Sequence, residues 1–184
     1  MRKNKFSVLT LHLFIRIAVV DLICFLLSFF VFAAVSDQWL RALIQAGCIL
    51  ATVAMIYSLP QEAGNVDRGL YSTGQYKRHL FKGLFAGLLA ELPLLISGVL
   101  LVLSKFGWIT EKFIGYYKLI NAIYFPLNLS ILPVDETIFS LHWGVVLLSL
   151  SMLLVIPLVT MFAYMLGFYR FYFKEALLYK KASD

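Results

Sequence analysis

Residues 82–104 read KGLFAGLLAELPLLISGVLLVLS. The stretch is long and apolar enough to cross a bilayer, yet it carries a carboxylate, Glu91, well inside it. The run behind Glu91, residues 92–104, covers ~20 Å at ~1.5 Å of rise per residue, short of the ~30 Å of a hydrocarbon core. A spanning helix must therefore take Glu91 with it. Gly83, Gly87 and Glu91 are spaced by four, and Gly98 returns near the same face. The acid thus lies on a small-residue stripe where a second helix can approach closely. A carboxylate on such a face points into a bundle and away from lipid.

The rest of the chain agrees with a membrane bundle. Of 184 residues, 61% are apolar and 14% are charged, against ~45–50% and ~25% in ordinary soluble domains. No polar stretch is long enough to build a separate soluble domain, so one integral membrane domain over residues 1–184 is expected. The net charge of +6 does not point to nucleic acid, because the basic residues sit in short segments flanking apolar runs. Cys24 and Cys48 both fall in expected spans, without metal-type spacing, and read as reduced core residues.

In order, a basic flank MRKNK precedes a first span at about 12–35, whose charge-free part is too short to cross alone, so Asp21 is drawn into the membrane. Arg16 lies nearer the end, where a long side chain can snorkel. A second span is expected at about 40–59, ended by Pro60. It carries a packing stripe of Gly47, Ala51, Ala54 and Ser58. A polar loop follows, then the third span at about 84–104. Residues 109–125, rich in tyrosine and phenylalanine, are expected as a helix lying in the interface plane. Glu111, Gly115, Lys118 and Ala122 would form one side, with Phe113, Ile114, Tyr117, Ile120 and Tyr124 on the other. Asn128-Leu129-Ser130 matches a glycosylation sequon. A fourth span is expected at about 144–167, kinked at Pro157, followed by an amphipathic tail at 168–184. Eleven Lys and Arg flank one side of such a bundle and four the other. Both termini are therefore expected in the cytoplasm, with a bacterial cytoplasmic membrane as the setting.

Depth groups the polar residues. Asp21 and Glu91 both come ~10–14 Å below the cytoplasmic surface. Thr52 and Thr160 reach a similar level, Tyr164 lies one turn from Thr160, and Arg16 can reach inward. The expected intramembrane cluster is therefore Arg16, Asp21, Thr52, Glu91, Thr160 and Tyr164, framed by a packing stripe of Gly47, Ala51, Ala54, Gly83, Gly87 and Gly98. Read structurally, the buried acid pairs with Arg16, holds a proton, or is hydrogen-bonded by a threonine, and sets the helix register. Read functionally, it binds a cation, a proton or a polar headgroup, or docks a partner's buried basic residue. Arg16 and Asp21 lie ~140° apart on the helix, so Arg16 with Glu91 is as good a pairing as Arg16 with Asp21. HExxH, the phosphate-cradling glycine loop and clustered His or Cys ligands are missing; His12, His79 and His142 are scattered. No enzymatic role, cofactor or metal is expected.

Residues 64–93, GNVDRGLYSTGQYKRHLFKGLFAGLLAELP, contain a G-x-x-D … K-G-x-x-x-G-x-x-A-x-x-P pattern at Gly64, Asp67, Lys82, Gly83, Gly87, Ala90 and Pro93. The segment resembles a loop and following helix of small multi-span bacterial membrane proteins, a resemblance that implies no activity. The first span, RIAVVDLICFLL, is similar to the opening helix of the RDD family, which also carries an arginine and then an aspartate. Here Arg16 and Asp21 are closer than in that pattern. This second resemblance implies a transport role.

The leading expectation is a non-enzymatic membrane subunit or accessory, packing with itself or with a partner complex amid membrane lipids. The alternative is an oligomeric transporter or channel using Glu91 and Asp21 for a cation or proton. A lipid-directed enzyme stands third.

Overall fold

A computed structural model describes residues 6–34, 38–75, 77, 79–124 and 137–169. Among these every regular element is helical. They are α1 (Phe6–Ala34), α2 (Gln38–Ser72), α3 (Lys82–Ala90), α4 (Leu92–Lys105), α5 (Phe113–Ile120), a 3-10 turn (Ala122–Tyr124), α6 (Trp143–Met152) and α7 (Val155–Phe168). The basic flank 1–5, the sequon and the tail beyond Tyr169 lie outside the described residues.

Among the described residues, two helical stretches are long and apolar enough to cross a membrane, Phe6–Phe30 and Trp143–Phe168. The pair Lys82–Ala90 and Leu92–Lys105 makes a third if its 65° bend is taken as one broken span. On α1 the buried residues are Leu9, Leu13, Ile17, Val20, Cys24 and Ser28. Their three- and four-residue spacing makes a single stripe, while Leu22, Ile23, Leu26, Phe29 and Phe30 stay exposed. A helix apolar on all sides but buried on one stripe is suited to lipid on the rest. Trp143, which opens α6, packs on Phe106 and Lys105 at the end of α4, and Trp39 and Trp108 are exposed.

The core is α7 lying between α2 and α3, with α1 packed across α2 and α3. Close approach of backbones makes this possible. A methyl group at Gly83 would meet the Thr160 carbonyl at 2.5 Å, and one at Gly64 would meet the Phe168 amide at 2.8 Å. At Gly87 it would run into Thr160 and Pro157, and at Gly167 into Gln61. The stripe of the third span is thus used up inside the molecule. On α2, by contrast, Gly47 faces open space, with Ala51 and Ala54 exposed beside it.

Two prolines, Pro60 and Pro93, act otherwise than in the sequence reading, and Pro157 interrupts its span as expected. Pro60 does not end the second helix, which runs on to Ser72. Its second half stays helical because Gly64 and Ala63 are buried against the core and α7 packs along it. The helix closes instead at Gly74 (φ 72°), where Gly74 N–H donates to the Tyr71 carbonyl and Gln75 N–H to that of Leu70, a Schellman closure. The third span is not one helix: it breaks at Glu91, two residues before Pro93, which has no N–H for the Leu89 carbonyl and clashes with that turn. Pro157 acts the same way at a distance of four, so the break falls at Leu153-Leu154 and Pro157 itself sits inside the first turn of α7.

The tyrosine-rich connection also differs. It forms a helix only over Phe113–Ile120, and the chain then turns inward, burying Asn121, Ala122, Ile123 and Tyr124 against α1 and α2. The buried residues of α5 are Tyr117 and Lys118, one from each expected side.

Candidate functional site

Two polar groupings occupy the bundle, about one short helix apart. The first lies where α2 ends, α3 begins and α7 ends. Lys82 Nζ donates to Asp67 Oδ2 at 2.6 Å, and the Tyr164 hydroxyl donates to the same oxygen at 2.8 Å. All three side chains are buried. The geometry depends on the extended half of α2, which carries Asp67 past the membrane-length part of the helix. It also depends on Gly83 and Gly64, which let α3 and α2 close onto Tyr164. Arg68, next along, donates to the Phe168 carbonyl at 3.0 Å and so closes the last turn of α7. A buried ion pair with a third hydrogen bond has its charges compensated, so this grouping is a clasp between three helices.

The second grouping lies deeper, where the two helix breaks and the inward turn converge. Glu91 stands at the α3–α4 break with 0% of its surface exposed. Its backbone continues the chain of hydrogen bonds, N–H to the Gly87 carbonyl and carbonyl from the Leu95 N–H. Its two carboxyl oxygens have no hydrogen-bond partner among the described residues. The buried Tyr124 hydroxyl likewise has no hydrogen-bond partner among the described residues, whereas the Tyr117 hydroxyl is taken up by Ser149. Asp21 Oδ1 accepts the Ile123 N–H at 3.1 Å, which latches the inward turn to α1. Thr52 donates to the Cys48 carbonyl at 2.7 Å and lies 4.0 Å from the Cys24 thiol. A small apolar crevice between α2 and α7, lined by Thr52, Val53, Ile56 and Val159, has Ile123 and Tyr124 in its wall.

A polar seam holds the connection in place. The Asn121 side-chain amide donates to Ser97 Oγ at 2.8 Å and to the Tyr117 carbonyl at 2.9 Å, and its own oxygen has no partner among the described residues. Ser149 Oγ donates to the Tyr117 hydroxyl at 3.1 Å, joining α6 to α5. Beside Trp143, Lys105 Nζ donates to the carbonyls of Ile138, Phe139 and Leu141 at 2.6–2.8 Å. Lys118, on the buried face of α5, has its ammonium pushed below the ordinary lysine range by desolvation.

The six residues expected to cluster are therefore divided. Asp21, Thr52 and Glu91 belong to the deep layer. Tyr164 belongs to the Asp67 clasp. Thr160 donates to the Pro157 carbonyl at 2.9 Å and fills the gap left by Gly87. Arg16 pairs with neither acid: one guanidinium nitrogen donates to the Met55 carbonyl at 2.6 Å and to Ser58 Oγ at 2.7 Å. Both acceptors lie on α2, in the helix turn before Pro60. Sequence reading put Asp67 and Lys82 in a polar surface loop, although the G-x-x-D … K-G-x-x-x-G pattern already held both. Tyr124 and Asn121 were read as parts of an interfacial helix, and nothing local marks them as core.

The chain matches no family model, and no curated protein or solved structure is significantly similar to it.

Proposed function

We propose that this chain is a small four-span membrane protein, bacterial, with both termini in the cytoplasm, that handles a proton or monovalent cation as part of an oligomer. The observation that carries this reading is Glu91, wholly buried and with no hydrogen-bond partner among the described residues, at the meeting point of two broken helices and an inward turn. Ionisable groups inside a membrane are costly and tend to be functional. Helices broken at mid-depth recur where carriers bind ions and substrates. Counting α2 as a span puts the tryptophans at one surface and most basic residues at the other. A four-helix bundle is too thin to enclose a pathway alone, so assembly is part of the reading. The test is flux in proteoliposomes: Glu91→Gln abolishes ion movement while the protein still assembles. Unaltered flux in that variant refutes the role of Glu91.

A second reading is a non-enzymatic subunit or accessory docking on a partner. It is favoured by the open face of α2, where Gly47, Ala51 and Ala54 lie exposed along with Leu43 and Leu50. Small residues let a second helix approach closely. Native mass spectrometry of the gently extracted protein separates the two. A stoichiometric unrelated chain favours the accessory, and a homo-oligomer favours the carrier.

A further inference from the structure

We propose that Cys24 and Cys48 are a redox pair, joined to a disulfide by a lipid-soluble quinone, and that the bond locks α1 to α2 beside the inward turn. The pairing follows from the register of the two helices. Arg16 on α1 reaches Met55 and Ser58 on α2, and Cys24, further along α1, comes to Thr52, nearer the start of α2. The two helices therefore run antiparallel. From Arg16 to Cys24 is eight residues. The same step back along α2 from Met55 and Ser58 reaches positions 47–50, an interval that holds Cys48.

Thr52 fixes the face. Its hydroxyl lies 4.0 Å from the Cys24 thiol and donates to the Cys48 carbonyl, one turn away, at 2.7 Å. Cys24 belongs to the buried core around α1, and Cys48 packs against that same core. Both are free thiols. Facing Cα atoms stand ~2.3 Å off their helix axes, so helices packed ~8–10 Å apart bring them to about the separation that a disulfide spans.

Depth and exposure set the oxidant. α1 ends at Ala34 and α2 begins at Gln38. Each cysteine is ~15 Å from that joined end at ~1.5 Å of rise per residue, near the middle of a ~30 Å hydrocarbon core. Aqueous thiols and disulfides do not partition there, whereas a quinone does. Cys24 is 3% exposed. Cys48 is only half-buried, next to the open side of α2 at Gly47, and is the thiol that the oxidant meets first. Both S–H bonds break and one S–S bond forms. The two protons and two electrons released convert the quinone to its hydroquinone. A membrane-permeant dithiol reverses the bond by exchange, becoming a disulfide itself.

The lock acts where the fold turns inward. Asp21, one turn before Cys24, accepts the Ile123 N–H. Thr52, one turn after Cys48, lines a crevice with Ile123 and Tyr124. Joining the cysteines fixes both walls against which this turn rests.

The experiment treats the wild-type protein in liposomes with tetramethylbenzoquinone, which has no ring position open to thiol addition, and maps disulfides by mass spectrometry without reduction. A peptide linking Cys24 to Cys48 is expected with the quinone and not with oxidised glutathione. Equal linkage by glutathione overturns the lipid route. No linkage with the quinone, or a dimer joined through Cys48, overturns the pairing. Hydrogen exchange at Ile123 is expected to slow about tenfold or more on oxidation and to recover with a permeant dithiol. Cys48→Ala is expected to abolish the response to quinone. An unchanged rate in oxidised wild type, or an equal response in Cys48→Ala, overturns the lock.

Discussion

Lys82 and Asp67 lie 2.6 Å apart, both buried, and join the first turn of α3 to the far half of α2 across the end of α7. Tyr164 donates to the same carboxylate oxygen. The three side chains therefore tie two consecutive helices, α2 and α3, to α7, which is distant from both in sequence.

Removing one member strands the other charge in the interior. Asp67→Asn or Lys82→Met should each destabilise the protein by about 3–5 kcal/mol, read as a fall in the unfolding midpoint of the detergent-solubilised protein. Replacing both by Leu and Met should recover most of that loss, because the desolvation cost leaves with the pair. A double variant no better than the single ones would show that the clasp does more than balance charge. Tyr164→Phe should cost about 1.5–3 kcal/mol, the worth of a hydrogen bond to a charged group.

The glycines separate internal packing from open surface. Gly83→Val should disrupt the α3–α7 contact, since even a methyl there meets the Thr160 carbonyl at 2.5 Å. A loss of about 1–3 kcal/mol or more is expected. Gly47→Leu should leave the unfolding midpoint of the monomer within about 0.5 kcal/mol, because nothing lies within 4 Å of that position. Size-exclusion of crosslinked protein then tells whether Gly47→Leu weakens assembly.

Asp21 offers a test of the latch. Asp21→Asn keeps an oxygen for the Ile123 N–H and should leave stability close to wild type. Asp21→Leu orphans that N–H in the interior and should cost about 1–3 kcal/mol. Hydrogen exchange at Ile123 reports the difference directly, with fast exchange only in the leucine variant.

Lys105 makes three carbonyl contacts with the turn that leads into α6. Lys105→Met should leave those carbonyls without this donor and speed hydrogen exchange through residues 137–142 at least about tenfold, a loss of about 1.4 kcal/mol in local opening free energy. Exchange unchanged in that stretch would mean that the turn is held by its own hydrogen bonds, such as Ser140 to Thr137.

Composition and period by themselves determined that the chain is helical and suited to a membrane, that Glu91 must be carried inside, and that Gly83 and Gly87 face another helix. These are local properties: hydropathy and three- and four-residue spacing act along one segment and need no partner. Only the tertiary structure decided which side chains meet. Arg16 lies close in sequence to Asp21 yet is drawn to α2, where the Met55 carbonyl and the Ser58 hydroxyl accept from it. Asp67 looked like a surface residue until α2 ran on past Pro60 and brought it beneath Tyr164. Tyr124 entered the core because the chain turns inward after Asn121, which Ser97 and Tyr117 hold in place. Pairings of this kind depend on the register between helices far apart in sequence, set by the close approach of α7 to Gly64, Gly83 and Gly87.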